Sequence, residues 1–239
     1  MVRNGEHVFD RLRSWVEGTG IDTLVVVNAT EDGETYARRW LEMNGKKAEP
    51  AAIEQWTQHY QALGIRYIGT GVMALRRRHP DGGTPWFANF VAPLIKSPRK
   101  ADHFRQLMAL QDFLGDVAGD EADPGPLLSC ALRPAEGHEL FRTHVFRDGA
   151  YQPTDAKARI GNAFPFAGSL DLGTAELLSR CGRDRPLGAV LAELAAEHGI
   201  DPAGMEARAI PSVRKMITLG LLLPPEIADL APVAAAVQS

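Results

Sequence analysis

The 239-residue chain has few cysteines, no long hydrophobic run and little excess charge of either sign. Its two cysteines, Cys130 and Cys181, are far apart and match no zinc-binding spacing, so we expect reduced thiols rather than a metal site or a disulfide framework. No apolar run approaches the roughly 20 residues that span a bilayer, which argues against a membrane protein. A net charge of −4 gives no global attraction to nucleic acid or to an anionic membrane.

Targeting and catalytic motifs are missing as well. The charged N-terminus, MVRNGEHVFDRLRSWVEG, lacks the apolar core of a signal peptide, which favours a cytoplasmic protein. The sequence contains no nucleophile elbow, no His-Glu-x-x-His and no phosphate loop. His138 and His144 lie near Glu136 and Glu139, but this alternation does not bring three ligands together, so we predict no metal.

The first hundred residues alternate between helical and strand patterns. EHVFDRLRSWVE at 6–17 has helical spacing, and DTLVVVN at 22–28 follows it. Residues 23–27 are β-branched or apolar without polar alternation, which is typical of a strand covered on both faces, as in a parallel sheet. Two segments with apolar stripes at helical spacing come next: ETYARRWLEM at 34–43 and PAAIEQWTQHYQAL at 50–63.

A second strand pattern closes this part of the chain. LGIRYIGTGVMALRRR at 63–78 predicts a strand, in which GTG at 69–71 marks an irregularity. HPDGG is turn chemistry, and PWFANFVAPL at 85–94 predicts a partner strand that starts near Pro85. We therefore predict an antiparallel hairpin over 66–92.

This order of elements resembles the second half of a class I S-adenosylmethionine-dependent methyltransferase. WVEGTGIDTLVVVNATEDGETYARRWLEMNG, a Trp/Tyr helix and LGIRYIGTGVMALRRR together are similar to bacterial class I methyltransferases that carry a C-terminal extension. The resemblance covers residues 5–92 well and extends more loosely to about 225. It implies an α/β fold: the distal half of a Rossmann-like sheet over 1–95, ending in the antiparallel hairpin.

The chain lacks the motifs with which such an enzyme binds its cofactor. The glycine-rich turn, the acidic residue that binds the ribose and the Asn-Pro-Pro-aromatic motif have no counterpart upstream of DTLVVVN. The resemblance thus implies S-adenosylmethionine as cofactor of an intact enzyme and none for this chain alone, whether it is a fragment, a split subunit or a degenerate paralogue. Since the strand at 23–27 would then expose an edge, we predict that a partner chain, a second copy or a rearranged segment of the same chain pairs with it.

Polar residues after the buried strand are candidates for contacting a substrate. Open α/β sheets bind ligands beyond the carboxyl ends of their strands. The candidates on the substrate side are Asn28, Thr30, Glu31 and Asp32. We place Asn28 first; the alternative is that it caps the next helix. The methyl acceptor stays open among RNA, protein and a small molecule.

Basic residues flank the predicted hairpin and are candidates for contacting phosphate or RNA: Arg76, Arg77, Arg78, Lys96, Arg99 and Lys100. The alternative is solvated charge at strand ends, and the two clusters would lie at opposite ends of the hairpin or be offset along it. An aromatic platform is conceivable from Trp40, Trp56 and Tyr60, although side chains at helical spacing more often belong to a core.

The remaining chain predicts an α+β extension over 101–232. Strands are predicted at 127–133, 138–147 and within 164–173, and Asp148-Gly149 predicts a turn between two strands. Three helical segments follow and end in LGLLLP, which is typical of a winged-helix-like module over about 164–225.

Two details of that module are predicted from its sequence. Thr174 is the predicted cap of the first helix, and Pro211 is predicted to break or start the last one. Around this last helix the basic residues nearly balance the acidic ones, so DNA binding is not expected.

Two functions follow from these patterns. In the first, the chain is the C-terminal portion of a methyltransferase, inactive without the half that binds S-adenosylmethionine. In the alternative, it is a non-catalytic binding or accessory protein whose winged-helix-like module grips a peptide or protein partner. Small winged-helix recognition modules of peptide-modification pathways share the LxxLGLL-type ending.

Overall fold

The structure is a computed structural model that describes residues 2–3, 8–45, 47–79, 83–92, 100–117, 123–160, 166–182 and 184–230. The chain divides into two compact units, Met1–Leu94 and Ile95–Ser239. Within the described residues, the fold is mixed α/β with three sheets and nine helices.

The first unit consists, in chain order, of β1 (Val2–Arg3), α1 (Val8–Val16), β2 (Ile21–Asp32), α2 (Gly33–Met43), α3 (Pro50–Ala62), β3 (Ile65–Arg77) and β4 (Phe87–Val91). Its strands form one sheet in the order β1-β3-β2-β4. β3 is antiparallel to β1 and to β2, whereas β4 is parallel to β2. β2 is therefore an inner strand, hydrogen-bonded on both sides by segments of the same chain.

The inner strand is covered on both faces, as its apolar run predicts. Residues 22–27 are all buried. A side chain at Gly69 would face Val8 of α1, whereas the neighbouring Ile68 packs against Tyr60 of α3. Because adjacent strand residues point to opposite faces, α1 and α3 cover opposite sides of the sheet.

The predicted antiparallel hairpin over 66–92 is wrong. β4 pairs in parallel with β2, from Thr23 opposite Phe87 to Val27 opposite Val91, and it is not a neighbour of β3. The observed pairing covers both edges of β2, one by β3 and the other by β4. It therefore buries the apolar run of β2 more completely than a hairpin between β3 and β4 would. The sequence left three partners open for this strand: a partner chain, a second copy or a segment of the same chain. In the structure, segments of the same chain, β3 and β4, pair with it.

A bulge interrupts the pairing of β2 with β3 at the GTG segment. Val27 lies opposite Gly71 and Ala29 opposite Thr70, which leaves Asn28 as the extra residue. A Cβ atom at Gly71 would lie 2.1 Å from the carbonyl oxygen of Val26, so the close approach of the two strands requires glycine. The irregularity predicted at 69–71 is confirmed.

The second unit consists, in chain order, of α4 (Lys100–Val117), α5 (Gly125–Leu128), β5 (Arg133–Pro134), β6 (His138–Arg147), β7 (Ala150–Ile160), β8 (Phe166–Leu170), α6 (Leu172–Arg180), α7 (Leu187–His198), α8 (Pro202–Thr218), β9 (Leu222–Leu223) and α9 (Pro225–Ala228). β6, β7 and β8 form an antiparallel three-stranded sheet, and β5 pairs with β9 in a second, two-stranded one.

The predicted strands of this unit are partly confirmed. β6 has the predicted bounds, β8 lies within the predicted 164–173, and Asp148 and Gly149 form the turn with φ angles of 52° and 81°. The strand predicted at 127–133 is wrong, because its start lies in the short helix α5 and only Arg133 belongs to a strand. A short apolar run does not distinguish a helix from a strand.

Both details predicted for the helical module are wrong. Asp171, not Thr174, caps α6: its carboxylate accepts a hydrogen bond from the backbone N–H of Thr174 at 2.8 Å. The aspartate is three residues earlier and offers a carboxylate to the same free N–H. Pro211 lies inside α8 without ending it, and Pro202 occupies the start of that helix.

Candidate binding site

Two of the predicted substrate-side residues have partners within the fold. Asp32 caps α2 and accepts a hydrogen bond from the backbone N–H of Thr35 at 2.7 Å, which lowers the pKa of the Asp32 carboxyl group. Glu31 binds Arg39, whose Nε and Nη2 donate to one carboxylate oxygen at 2.9 and 2.8 Å. Both side chains therefore fix α2 against the end of β2, and a role in binding a substrate stays a prediction.

The other two candidates, Asn28 and Thr30, form no side-chain hydrogen bond with another described residue. Asn28 is the half-buried extra residue of the bulge, and Thr30 is exposed. The alternative that Asn28 caps the next helix is wrong, because Asp32 occupies that position. The structure therefore places the four candidates along one strand end and does not gather them around a cavity.

Arg76 and Arg78 both bind Asp22, a fully buried carboxylate at the start of β2. Arg76 Nε lies 3.0 Å from Asp22 Oδ2, and Arg78 Nε lies 2.9 Å from Asp22 Oδ1. The backbone N–H of Trp86 donates to Oδ1 at 3.3 Å. One carboxylate thus joins the ends of β2 and β3 to the residue before β4, which gives the arginine run a structural role.

The other predicted phosphate contacts do not join this cluster. Arg77 is exposed, and as the strand residue between two arginines its side chain points to the opposite face. Lys96 and Arg99 lie outside the described residues, as does the side chain of Lys100, which begins α4. A phosphate or RNA site stays a prediction.

The aromatic residues of the first unit are divided between core and surface. Tyr60 is buried, and Trp56 packs edge-on against it with ring centroids 6.0 Å apart. Trp40 is exposed and stacks on Tyr36 at 6.2 Å. The core interpretation is confirmed for Tyr60.

The cysteines and His138 of the second unit lie in separate environments. Cys130 and Cys181 are free and half-buried, and burial raises the pKa of Cys181 to about 11, which keeps it a thiol. His138 Nδ1 lies 2.9 Å from the carbonyl oxygen of Ala135. Throughout the described ranges, no three His, Cys, Asp or Glu side chains are placed to hold a metal, and no helix has the length and apolar character needed to span a bilayer.

The helical module contains an apolar cavity of about 500 Å³ between α6, α7 and α8. Leu177, Leu191 and Leu194 are buried at its wall. Leu172 and Met205 also line it and are more exposed, so they mark its mouth. The volume and the apolar lining are those of a pocket that takes one or two large apolar groups.

The acidic groups that line the cavity have hydrogen-bond partners within the helical module. Asp171 caps α6, as described above, and hydrogen bonds from Thr174 lower the pKa of its carboxyl group. Glu176 binds Arg180 Nη2 at 2.6 Å and His198 Nε2 at 3.0 Å. Both carboxylates thus have structural roles in the helical module.

Arg208, on α8, adds a positive charge to the lining of the cavity. It lines the cavity and is exposed, and it forms no ion pair with any residue that the structure describes. Ser212, four residues further along the same helix, also lines the cavity and is on the same face. The cavity thus combines an apolar interior with a cation lacking a counterion, which suits an apolar group next to a carboxylate.

The sequence predicts the three helices but not the space between them. The stripe of α7, with Leu187, Leu191 and Leu194, is predicted and buried. The signal for a cavity is the small residues that line it, Gly173, Ala209 and Ser212, because larger side chains at these positions would fill it.

Comparison with known proteins does not narrow the function. The chain matches no protein-family model, and neither the curated protein sequences nor the solved structures contain a significant match. A functional assignment therefore depends on the residues and their geometry alone.

Proposed function

We propose that this chain is a binding or accessory protein whose helical module grips a short segment of a partner polypeptide. The observation that carries the proposal is the apolar cavity between α6, α7 and α8 with Arg208 beside it. An apolar side chain of the partner enters the cavity, and a neighbouring carboxylate pairs with Arg208. The comparison with winged-helix recognition modules is supported by α8, by Gly220 with a φ of 71° after it, and by the following strand β9.

The expected energetics divide between the two parts of the site. Burying one large apolar side chain contributes about 1.5–3 kcal/mol. The exposed ion pair between Arg208 and a carboxylate of the partner adds less affinity than this burial. Its main effect is to favour partners that carry a negative charge. Binding of a single short segment by this site is therefore expected to be weak and selective for acidic sequences.

Two matched peptide libraries test this function on the full chain. The peptides of both libraries carry fluorescein and a central Leu, Phe or Trp. Glutamates flank this residue in one library, and lysines flank it in the other. We expect the glutamate library to bind more tightly, by about fivefold, and Arg208→Glu to invert the preference. Ala209→Phe, which fills the cavity, should abolish binding of both libraries in fluorescence anisotropy.

Lys215→Glu is the matched control, because Lys215 is an exposed cation on the same helix that does not line the cavity. It should leave the preference for glutamate unchanged. Equal binding of the two libraries, or binding that survives Ala209→Phe, would show that the cavity does not receive the partner.

The methyltransferase interpretation stays a second proposal. It is supported by the outer edge of β4, which pairs with no described strand and so offers the sheet of the first unit a place for another strand. We expect calorimetry with S-adenosylmethionine to show no binding to the chain alone. Binding is expected only with a partner protein that carries the glycine-rich turn, encoded by a neighbouring reading frame. Micromolar binding by the isolated chain would contradict this proposal, because the chain would then bind the cofactor without the glycine-rich turn.

A further inference from the structure

Among the described strands, β6 lies at the edge of its sheet, and its second half extends past the end of β8. β8 pairs only with the last part of β7, from Ala156 to Ile160. The rest of the β6–β7 hairpin is a two-stranded ribbon, and residues 141–147 of β6 are all exposed. Two-stranded ribbons are at best marginally stable on their own, and an open strand edge is a template for pairing.

The exposed surface of this edge strand includes three large apolar side chains. Phe141, Val145 and Phe146 are 50%, 38% and 61% exposed. Phe146 contacts Tyr151 across the ribbon at a centroid distance of 5.3 Å, which leaves most of both rings in solvent. Large apolar side chains on an open edge indicate a surface that is covered by another strand.

We propose that β6 pairs antiparallel with β6 of a second copy of this chain, about a two-fold axis at Thr143. Residues equally distant from Thr143 in the two directions then face each other. Glu139 faces Arg147 of the second copy, and Phe141 faces Val145, each pair occurring twice. Opposite charges and aromatic–β-branched pairs are the cross-strand pairs that stabilise antiparallel sheets.

The charges select this register. Residues that face each other across a two-fold axis perpendicular to the sheet must point to the same face, so they are an even number of positions apart. Glu139 can therefore face Arg147 but not Arg142. An axis at Arg142 would place two arginines opposite each other, which is destabilising.

Glu139 and Arg147 can each form this additional ion pair without breaking an existing one. Arg159 binds Glu139 through the Oε2 atom of that carboxylate, which leaves Oε1 to accept from a second guanidinium. Arg147 forms no ion pair with another described residue. The ion pair across the axis thus adds to the existing one and does not replace it.

The helix next to this sheet lies on one face of it and not at the free edge of β6. Arg142 donates to the carbonyl oxygen of Ala175 at 3.1 Å, so α6 lies on the face to which the even-numbered residues of β6 point. A two-fold axis perpendicular to the sheet keeps both copies of α6 on that face. The product is a continuous six-stranded sheet in an isologous dimer.

Cysteine cross-linking tests both the dimer and its register. At Thr143 the two Cα atoms face each other at roughly 4.5–5.5 Å, a distance that a disulfide spans. Under mild oxidation, Thr143→Cys should therefore give a covalent dimer on non-reducing gels, whereas Val145→Cys should not. Residue 145 and its copy are separated by four residues of strand, or about 13 Å. The unsubstituted chain controls for cross-linking through Cys130 or Cys181.

Sedimentation equilibrium measures the contribution of the charge pair. Arg147→Glu places two carboxylates opposite each other twice per dimer and should weaken dimerisation by about tenfold. Lys215→Glu, at an exposed position elsewhere in the same unit, should have no such effect. A monomer at 100 µM, or cross-linking of Val145→Cys as efficient as that of Thr143→Cys, would overturn the proposal. An extended peptide from another protein would then be the remaining occupant of this edge.

Discussion

Asp22→Asn is expected to lower the free energy of unfolding of the first unit by about 3–5 kcal/mol, the range for breaking a buried ion pair. Asp22 is fully buried and accepts hydrogen bonds from Arg76, Arg78 and the backbone of Trp86. An asparagine keeps the volume but loses the charge, which deprives the guanidinium of Arg78, only 14% exposed, of the Asp22 carboxylate. The ends of β2 and β3 and the residue before β4 then lose the carboxylate that connects them.

Tryptophan fluorescence during urea unfolding measures this loss selectively, because all four tryptophans belong to the first unit. Glu34→Gln is the control: it breaks an exposed ion pair with Arg38 at 3.0 Å and should cost less than about 1 kcal/mol. Adding Arg78→Met to Asp22→Asn should recover part of the loss, since it removes a largely buried charge that no longer faces the Asp22 carboxylate. An Asp22→Asn chain as stable as the Glu34→Gln chain would mean that the carboxylate does not hold these strands together.

Gly71→Ala is expected to destabilise the first unit by about 3 kcal/mol, at the upper end of the usual cost of overpacking. The added methyl group would lie 2.1 Å from the carbonyl oxygen of Val26, and the atoms nearest to it all belong to the backbone of Val26 and Val27, so the strands must separate at the bulge. The same tryptophan-detected unfolding curve reports the change.

Gly69→Ala is a closely matched control, two residues earlier in the same strand. A methyl group there would contact Val27 and Val8 at 3.8 Å, which is an ordinary packing distance. Because alanine also restricts the unfolded chain more than glycine, this variant should be neutral or slightly stabilising. If both variants lose the same stability, the cost comes from strand flexibility and not from the close approach at Gly71.

The local features of the fold were predictable from the sequence, whereas the strand partners were not. The unbroken apolar run of β2 predicts its burial, because burial on both faces depends on the residues of the strand itself. Its partners depend on segments far along the chain. The turn residues before β4 favour a hairpin with the nearest strand, yet the second edge of β2 offers parallel pairing to the same segment.

The candidate site shows the same division. The stripes of α6, α7 and α8 are visible as periodicity, but the cavity depends on how three helices pack, which no single stripe specifies. The arginine run is equally ambiguous in isolation, since its counterion, Asp22, is more than fifty residues earlier. A lone aspartate at the start of an otherwise apolar strand is the signal that could have linked the two.

The inner position of β2 has a consequence for how the protein is made. During synthesis this valine-rich strand leaves the ribosome before β3 and well before β4, the two segments that cover its edges. Until both have emerged, the nascent chain carries an open apolar strand of the kind that associates with other chains. The order of elements along the polypeptide thus leaves the newly synthesised first unit in need of protection from association, which is the task of molecular chaperones.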